Sequence, residues 1–216
     1  MKKSRLIQIS IVILFSLFSF VGHASFDETK ARDFLNTTGE KFIETLGLQN
    51  VKEKYALLDD MFETKFDTLS MGRFVLGGSY RLLNEEQKVR YHELFKRYIK
   101  SLYKSYPLDF DTSEIHFGIA KITQNEKYIS ALVVVDLPEK YQTETLKTIR
   151  VEFKLKENPN GNYLISDILF ADVSLLVSQK ARFMQMLQNA DGEIDWFLDD
   201  FEDLTISNEN QILPVE

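Results

Sequence analysis

Cysteine is absent from the 216-residue chain, and histidine and tryptophan are scarce, with three residues and one residue respectively. Without a thiol the protein can form no disulfide bond, and it can use no thiolate as a nucleophile or as a zinc ligand. The same absence excludes a lipid anchor on an N-terminal cysteine. The fold must therefore be stabilised by its buried core alone.

Positive charge is also in deficit, because 26 Lys and Arg residues face 33 Asp and Glu residues, for a formal net charge of −7. Three of the bases and none of the acids lie in the first 24 residues, so the rest of the chain has 23 basic and 33 acidic residues, a net charge of −10. Proteins that bind nucleic acid neutralise its phosphates with a basic surface. The composition therefore argues against nucleic acid as a partner.

The N-terminus has the three parts of a secretory signal. Basic residues within the first five positions precede an uncharged, mostly apolar run over residues 6–21, and Gly22 and Ala24 supply small residues after it. This order is typical of a cleaved signal peptide. No later stretch is long and apolar enough to predict a membrane span. We expect a signal peptide over residues 1–24, a single domain over residues 25–206 and a polar tail over residues 207–216.

Helical periodicity dominates both ends of the chain, and strand periodicity dominates its middle. Helices are predicted over residues 26–46, 51–66 and 67–76. An Asn84–Gln87 capping box opens a further helix, which Pro107 ends. Two C-terminal helices follow, the first with Asp172 as its predicted N-cap. Between them, four segments alternate as strands do, over residues 114–123, 128–137, 145–156 and 162–170.

Consecutive strands with short connections favour antiparallel pairing. The pattern therefore predicts an α+β fold of the NTF2/cystatin-like type. In this fold the N- and C-terminal helices pack on a curled four-stranded antiparallel sheet, and an apolar cavity lies between the sheet and the helices.

Side chains suited to catalysis are few. His92 begins a stretch that resembles the zinc-protease motif HExxH, but Lys96 occupies the place of the second ligand. His116 has no evident partner, and Asp167 with His116 is the best acid–base pair available to an exported enzyme. We therefore predict no enzymatic activity, no metal site and no cofactor, and we keep the Asp167–His116 pair as the alternative.

The predicted helix after Asn84 carries a line of basic residues, and residues 191–203 contain seven acids and no base. Two interpretations are open. On the first, the two charged segments are solvated faces that attract each other within the molecule; on the second, the basic line contacts anionic head groups or an acidic partner. On the second interpretation the candidate contacts are Lys88, Lys96 and Lys100.

Two groups of short motifs follow each other along the chain. The first comprises Phe66-Asp67, Leu76-Gly77, Tyr80-Arg81, Leu83 and Glu86-Gln87. The second comprises Tyr163, Asp167-Ile168, Val173-Ser174 and Phe183. In this order they resemble the MlaC family, also called the toluene-tolerance auxiliary family, of periplasmic phospholipid-shuttle proteins. The chain departs from that family at Ala171-Asp172, where Glu-Gly is common.

The resemblance implies a soluble carrier in the periplasm that holds phospholipid as cargo. Such a carrier takes phospholipid from an outer-membrane lipoprotein–porin complex and exchanges it with an inner-membrane ABC transporter through an MCE-domain protein, and so maintains the lipid asymmetry of the outer membrane. Two alternatives stay open. One is a carrier of another lipid, such as a hopanoid, and the other is an exported adaptor with a packed core that docks through Trp196.

Both faces of the predicted strand over residues 128–137 are apolar, whereas a strand with one wet face alternates apolar and polar residues. If helices cover one face, lipid chains between the sheet and the helices can supply the contacts that protein leaves out. The candidate lipid-lining residues are Val133, Val135, Ile149, Val151, Phe153, Ile168 and Phe170.

Overall fold

The structure is a computed structural model and describes residues 26–105 and 111–212. The predicted signal peptide and Pro107 lie outside the described residues. The helices are α1 (Glu28–Leu46), α2 (Val51–Lys65), α3 (Thr68–Leu76), α4 (Glu85–Lys104), α5 (Leu175–Asn189) and α6 (Ile194–Glu209). The strands are β1 (His116–Gln124), β2 (Ile129–Asp136), β3 (Thr148–Glu157), β4 (Tyr163–Phe170) and β5 (Val173–Ser174). Short 3₁₀ helices cover Gly77–Leu82 and Glu139–Tyr141.

The sheet is an antiparallel meander in the order β1-β2-β3-β4-β5. The predicted α+β class and antiparallel pairing are confirmed, but the prediction of four strands is wrong because β5 adds a fifth. Bulges interrupt the ladders at Ala120 in β1 and at Ser166 in β4. Such bulges bend a strand and increase its local twist.

The fifth strand arises from a reversal of the chain directly after β4. Ala171 and Asp172 both have left-handed backbones, with φ of 48° and 65°. The chain therefore turns back, and Val173-Ser174 pairs with Leu169-Phe170. Asp172 is consequently not the N-cap of α5, as predicted. Ser174 takes that position, and its hydroxyl accepts a hydrogen bond from the backbone N–H of Val177 at 3.1 Å.

Polar side chains fix the starts of the N-terminal helices. Asp27, Asn50 and Asp67 each accept a hydrogen bond from the backbone N–H three residues later, as N-caps do. The predicted capping box of Asn84 and Gln87 is present at the start of α4, with both reciprocal hydrogen bonds formed. At the other end of the chain, α6 extends to Glu209, into the segment predicted as the polar tail. No helix among the described residues is long and apolar enough to cross a bilayer.

Buried residues form two clusters that meet near β4. Helices α3 to α6 enclose an aromatic cluster in which the ring centroids of Phe183 and Phe201 lie 4.7 Å apart. The second cluster lies between α1 and one face of the sheet, where Ala31 and Leu35 pack on the strands. Phe66, at the end of α2, packs against both clusters. The helical layer is thus joined to the sheet at β4, which α2, α3 and α5 all contact.

Candidate functional site

The seven predicted lining residues lie on one face of the sheet. The register places Val133 opposite Val151, Val135 opposite Ile149, Phe153 opposite Ile168 and Val151 opposite Phe170. Directly opposed residues in an antiparallel pair point to the same side. This side, called the apolar face below, is also the side that α1 covers.

Burial along the apolar face changes from one end to the other. At the end near Ile129, Leu155 and Tyr163 the side chains are buried beneath α1. Towards the other end, Val135 and Ile149 are only half-buried, and Phe170 is 50% exposed. The cover over this continuous apolar surface therefore decreases towards Phe170, the one exposed residue of the seven.

Helix α1 crosses the apolar face at close range. It begins beside Tyr163, whose hydroxyl lies 3.4 Å from the carbonyl oxygen of Asp27, and it reaches Phe117 on β1. A Cβ atom added at Gly39 would lie 2.7 Å from Cζ of Phe117, too close for an ordinary contact. Glycine at this position therefore lets the helix and the ring approach each other.

The opposite face of the sheet is polar along β3 and has apolar residues on β2 and at Leu164 and Leu169 of β4. Arg150, Glu152 and Lys154 project from β3, and the Ser130 hydroxyl donates a hydrogen bond to Glu152 at 2.6 Å. On β2, Leu132 and Val134 are half-buried on this face. The long side chains of the neighbouring strand can shield such apolar residues with their methylene stems. The apolar part of this face on β2 is thus limited to Leu132 and Val134, which lie opposite Glu152 and Arg150.

A buried carboxylate ties β4 to the start of α5. The Asp167 side chain accepts hydrogen bonds from the Ser174 hydroxyl at 2.8 Å and from the backbone N–H groups of Ile168 at 2.9 Å and Leu176 at 3.4 Å. Its second oxygen also lies 3.3 Å from Nζ of Lys154. A buried carboxylate is stabilised by several donors of this kind. This network fixes the reversal between β4 and α5.

The alternative catalytic pair is not assembled. His116 lies opposite Asp136 at one end of β1, whereas Asp167 lies opposite Lys154 on β4. Two strands lie between them, and they are offset by six residues along the strand direction. At ordinary strand spacings the two side chains are therefore at least about 20 Å apart. Asp167 instead serves the network described above. Among the described residues no group of three or more His, Cys, Asp and Glu side chains could hold a metal ion.

The line of basic residues on α4 is engaged in ion pairs within the chain. Lys96 and Lys100 both pair with Glu63 of α2, at 3.0 and 2.7 Å, and Lys88 pairs with Glu85 at 2.7 Å. These pairs are surface pairs, so their stabilisation is small, about 0–1 kcal/mol each. The role of Lys88, Lys96 and Lys100 in contacting head groups or a partner stays a prediction.

Lys88 and Lys96 also line a cleft of about 560 Å³ between α3 and α4. Tyr80 lies within this cleft, and its hydroxyl is 3.0 Å from Nε2 of His92. Burial, followed by the charges of Arg73 and Lys96, lowers the pKa of His92. The cleft is separate from the apolar face and is lined by charged and apolar side chains of α3, α4 and the 3₁₀ helix between them.

The acidic helix α6 is paired with α4. Arg90 donates hydrogen bonds to Asp199 at 2.8 Å and to Glu202 at 2.7 Å. Arg97 forms a bidentate pair with Glu209, at 2.9 and 2.7 Å. Part of the basic charge of α4 is therefore neutralised by the acidic residues of α6 within the molecule.

These ion pairs predict a dependence of stability on pH. Hydrogen bonds from Lys100 to Glu63 and from Arg97 to Glu209 lower the pKa of each carboxyl from its ordinary value of 4.5. The stabilisation is complete above the unfolded-state pKa and is lost as the pH falls through the lower folded-state pKa. We therefore expect the free energy of unfolding to decrease below about pH 4.5, as measured by urea denaturation from pH 7 to pH 3.

The double variant Glu63→Gln and Glu209→Gln should have a shallower decrease over the same range. Glu126→Gln, in the exposed turn between β1 and β2, is the matched control and should keep the slope of the unchanged protein. Equal slopes in all three proteins would contradict the assignment of the acid sensitivity to these pairs.

Two comparisons with known proteins bear on the site. Residues 40–203 match the model of the protein family described as MlaC protein. The chain is also similar to a solved structure of a phospholipid-binding protein from Ralstonia solanacearum in complex with a phospholipid, with a TM-score of 0.69 and 12% sequence identity. The similarity covers 83% of this chain and 98% of that chain, and at this identity it supports the fold alone. No curated protein sequence matches the chain.

Sequence reasoning missed two parts of the apolar face. Phe117 lies opposite Val135, and Val173 lies opposite Phe170, so both extend the face to the outer strands. The alternation of Phe117 with Ile119 in the sequence could have identified Phe117 as part of this face. Val173 gave no such signal, because a strand of two residues has no periodicity.

Proposed function

The chain belongs to the MlaC family, and from this membership together with the geometry of the sheet we propose that it is a carrier that binds phospholipid on the apolar face. The proposal includes an apolar cavity between the sheet and the helices, opened or filled by the acyl chains. Val133, Val135, Ile149, Val151, Phe153, Ile168 and Phe170 are the proposed lipid contacts.

The observation that carries this proposal is the partial exposure of the apolar face at the end away from Ile129, Leu155 and Tyr163. A monomeric protein rarely leaves a large contiguous apolar surface open unless another molecule binds there. Here the half-buried and exposed residues continue a surface that is buried beneath α1 at its other end. Acyl chains are extended and apolar, so they suit a surface built from Val, Ile and Phe.

The energetics of transfer explain why a carrier needs no catalytic residue. A two-chain lipid has about 30 methylenes, and exposing them to water costs on the order of 20 kcal/mol, at about 0.8 kcal/mol each. An apolar binding site removes most of this cost. Such a site resembles the bilayer interior in polarity, so the lipid has little net preference for the protein over the membrane. The direction of transport must therefore come from the donor and the acceptor.

The finer part of the proposal concerns location and partners. With residues 1–24 as a signal peptide, the mature chain would act in the periplasm. It would exchange lipid with two membrane complexes. One is an outer-membrane lipoprotein–porin complex, and the other is an inner-membrane ABC transporter with an MCE-domain protein. Lys88 and Lys96, at the cleft between α3 and α4, and Lys100 are the proposed contacts to head groups or to an acidic surface of these complexes.

The test is native mass spectrometry of the protein purified without detergent, followed by identification of the lipids extracted from it. We expect a mass increase that corresponds to one or more phospholipids. Recovery of a hopanoid would point to a carrier of another lipid. Protein that is free of lipid, and that takes up none from phosphatidylethanolamine vesicles, would favour the packed adaptor and would contradict the proposal.

A further inference from the structure

The cleft between α3 and α4 is a concave site apart from the apolar face. Its volume of about 560 Å³ lies in the range of roughly 300–1,000 Å³ that is typical of small-molecule sites. Three cations line it, Arg73, Lys88 and Lys96, against the two carboxylates of Glu85 and Glu93. The cleft therefore has an excess of positive charge on a chain whose net charge is −7.

The wall of the cleft is built on a close contact between α3 and α4. The Tyr91 hydroxyl donates a buried hydrogen bond to the carbonyl oxygen of Gly72 at 2.8 Å. A Cβ atom added at Gly72 would lie 3.2 Å from Nδ1 of His92, so glycine lets the imidazole pack closely on α3. Nε2 of His92 lies 3.0 Å from the Tyr80 hydroxyl. The imidazole and the phenol are therefore held in fixed positions within the cleft.

Arg73 carries a charge in the cleft that no carboxylate neutralises. Its guanidinium carbon lies 5.3 Å from the centroid of the Tyr80 ring, at the distance of a cation–π contact. Within residues 26–105 and 111–212 it forms no ion pair. Lys88 and Lys96, by contrast, each pair with a glutamate at the surface. The Arg73 guanidinium is thus positioned by the ring and keeps its N–H donors for a ligand.

These cations suit a phosphate group. The planar fork of Arg73 matches two oxygens of a phosphate, and the ammonium groups of Lys88 and Lys96 act as point charges beside it. A phosphate monoester carries nearly two negative charges at pH 7, because its second pKa is about 6. A carboxylate or a phosphodiester brings one negative charge and therefore gains less from the same cations.

The rest of the lining favours a small aliphatic ester. The Tyr80 ring already contacts two cations and two neighbouring rings, which leaves little of its surface for stacking a nucleobase. Leu69 and Val89 also line the cleft, and they are 46% and 66% exposed. They can contact the carbon chain of a small alcohol that is joined to the phosphate.

We propose that the cleft between α3 and α4 binds a small aliphatic phosphate monoester, with Arg73 as its bidentate contact and Lys88 and Lys96 as additional charges. The inference goes beyond the carrier function, because it requires no lipid on the apolar face. A bound monoester would compete for the two lysines with the head groups or acidic surface proposed above.

The experiment titrates the purified protein with glycerol phosphate at low ionic strength, by calorimetry and by NMR of the backbone amides. We expect saturable binding, with the largest changes in chemical shift at the residues that line the cleft. Arg73→Gln removes the charge and the fork, so it should weaken binding about ten-fold or more, since charge-assisted hydrogen bonds are the strongest contacts of such a ligand.

Arg81→Gln is the matched control for Arg73→Gln. Arg81 is an exposed arginine of the neighbouring 3₁₀ helix and lies outside the cleft lining that the structure describes. Its replacement removes the same charge from the chain and should leave the affinity unchanged. Should Arg73→Gln fail to fold, Arg73→Lys keeps the charge and loses the fork, and weaker binding is again the expected result.

Two further probes identify the source of the phosphate. Inorganic phosphate and glycerophosphoethanolamine, the phosphodiester head group of a phospholipid, should both bind more weakly than glycerol phosphate. Tighter binding of the diester would assign the cleft to lipid head groups, and equal binding of inorganic phosphate would show that the alcohol is not recognised. Either result would overturn the proposed ligand.

The site itself has its own contradicting results. Absence of saturable binding of glycerol phosphate, or an equal loss of affinity in Arg73→Gln and Arg81→Gln, would overturn the inference. Neither result bears on the lipid content that native mass spectrometry measures. Conversely, a protein found free of lipid that still binds glycerol phosphate would contradict the carrier function and leave this inference standing.

Discussion

Replacing Val135 with Asp will strip the purified protein of phospholipid, with at least a ten-fold decrease in bound lipid per protein molecule. Val135 is half-buried on the apolar face, between Phe117 and Ile149. A carboxylate there would have to lose its hydration whenever acyl chains bind, and burying an unpaired charge costs several kcal/mol. Since about 1.4 kcal/mol already lowers an affinity ten-fold, bound lipid should be lost.

The adjacent residue supplies the control. Val134 is also a half-buried valine of β2, but it points to the opposite face, between Gly118 and Arg150. An Asp at position 134 would lie beside the Arg150 guanidinium and away from the proposed lipid. We expect Val134→Asp to retain its lipid. Loss of lipid in both variants, or in neither, would contradict the placement of lipid on the apolar face.

Replacing Asp167 with Ala should destabilise the protein by about 2–4 kcal/mol, because it leaves buried donors without an acceptor. The Ser174 hydroxyl, the backbone N–H of Leu176 and the Lys154 ammonium all lose their shared partner. The end of β4 and the start of α5 would then be held less firmly. Urea denaturation at pH 7 measures the effect.

His116→Ala is the control for Asp167→Ala, and it tests the catalytic alternative at the same time. His116 is exposed at the end of β1 and far from Asp167, so its replacement should change the free energy of unfolding by less than about 0.5 kcal/mol. Asp167→Ala with unchanged stability would contradict the structural role of the carboxylate. A turnover lost equally in both variants would restore the catalytic alternative.

The motifs that resemble the MlaC family lie mainly at turns and helix ends and not on the apolar face. Asp67 caps α3, Gly77 ends it with a positive φ, and Gln87 completes the capping box of α4. Asp167 and Ser174 form the network between β4 and α5. These positions demand particular residue types, so a single sequence can reveal them. Apolar lining positions accept many residues and leave a weaker signal.

The strand predictions were successful where a local period was long enough to read. The two-residue period of a strand placed Val133 with Val135 and Ile149 with Val151, and the register shows that the two pairs share one face. The fifth strand escaped prediction because two residues form no period. Its formation depends on two successive left-handed residues, Ala171 and Asp172, and of these two residue types only Asp adopts that conformation comparatively often.

Local order along the chain was thus enough to infer the capping box of α4, the four long strands, the absence of thiol chemistry and the family. Those features depend on residues a few positions apart, whose interactions operate before the chain is compact. Other features depend on contacts between distant segments: the pairing of Lys96 and Lys100 with Glu63, the separation of Asp167 from His116, and the exposure of the apolar face at Phe170. Burial is a property of the assembled layers, so an apolar residue can be identified from the sequence, whereas its cover can be seen only after folding.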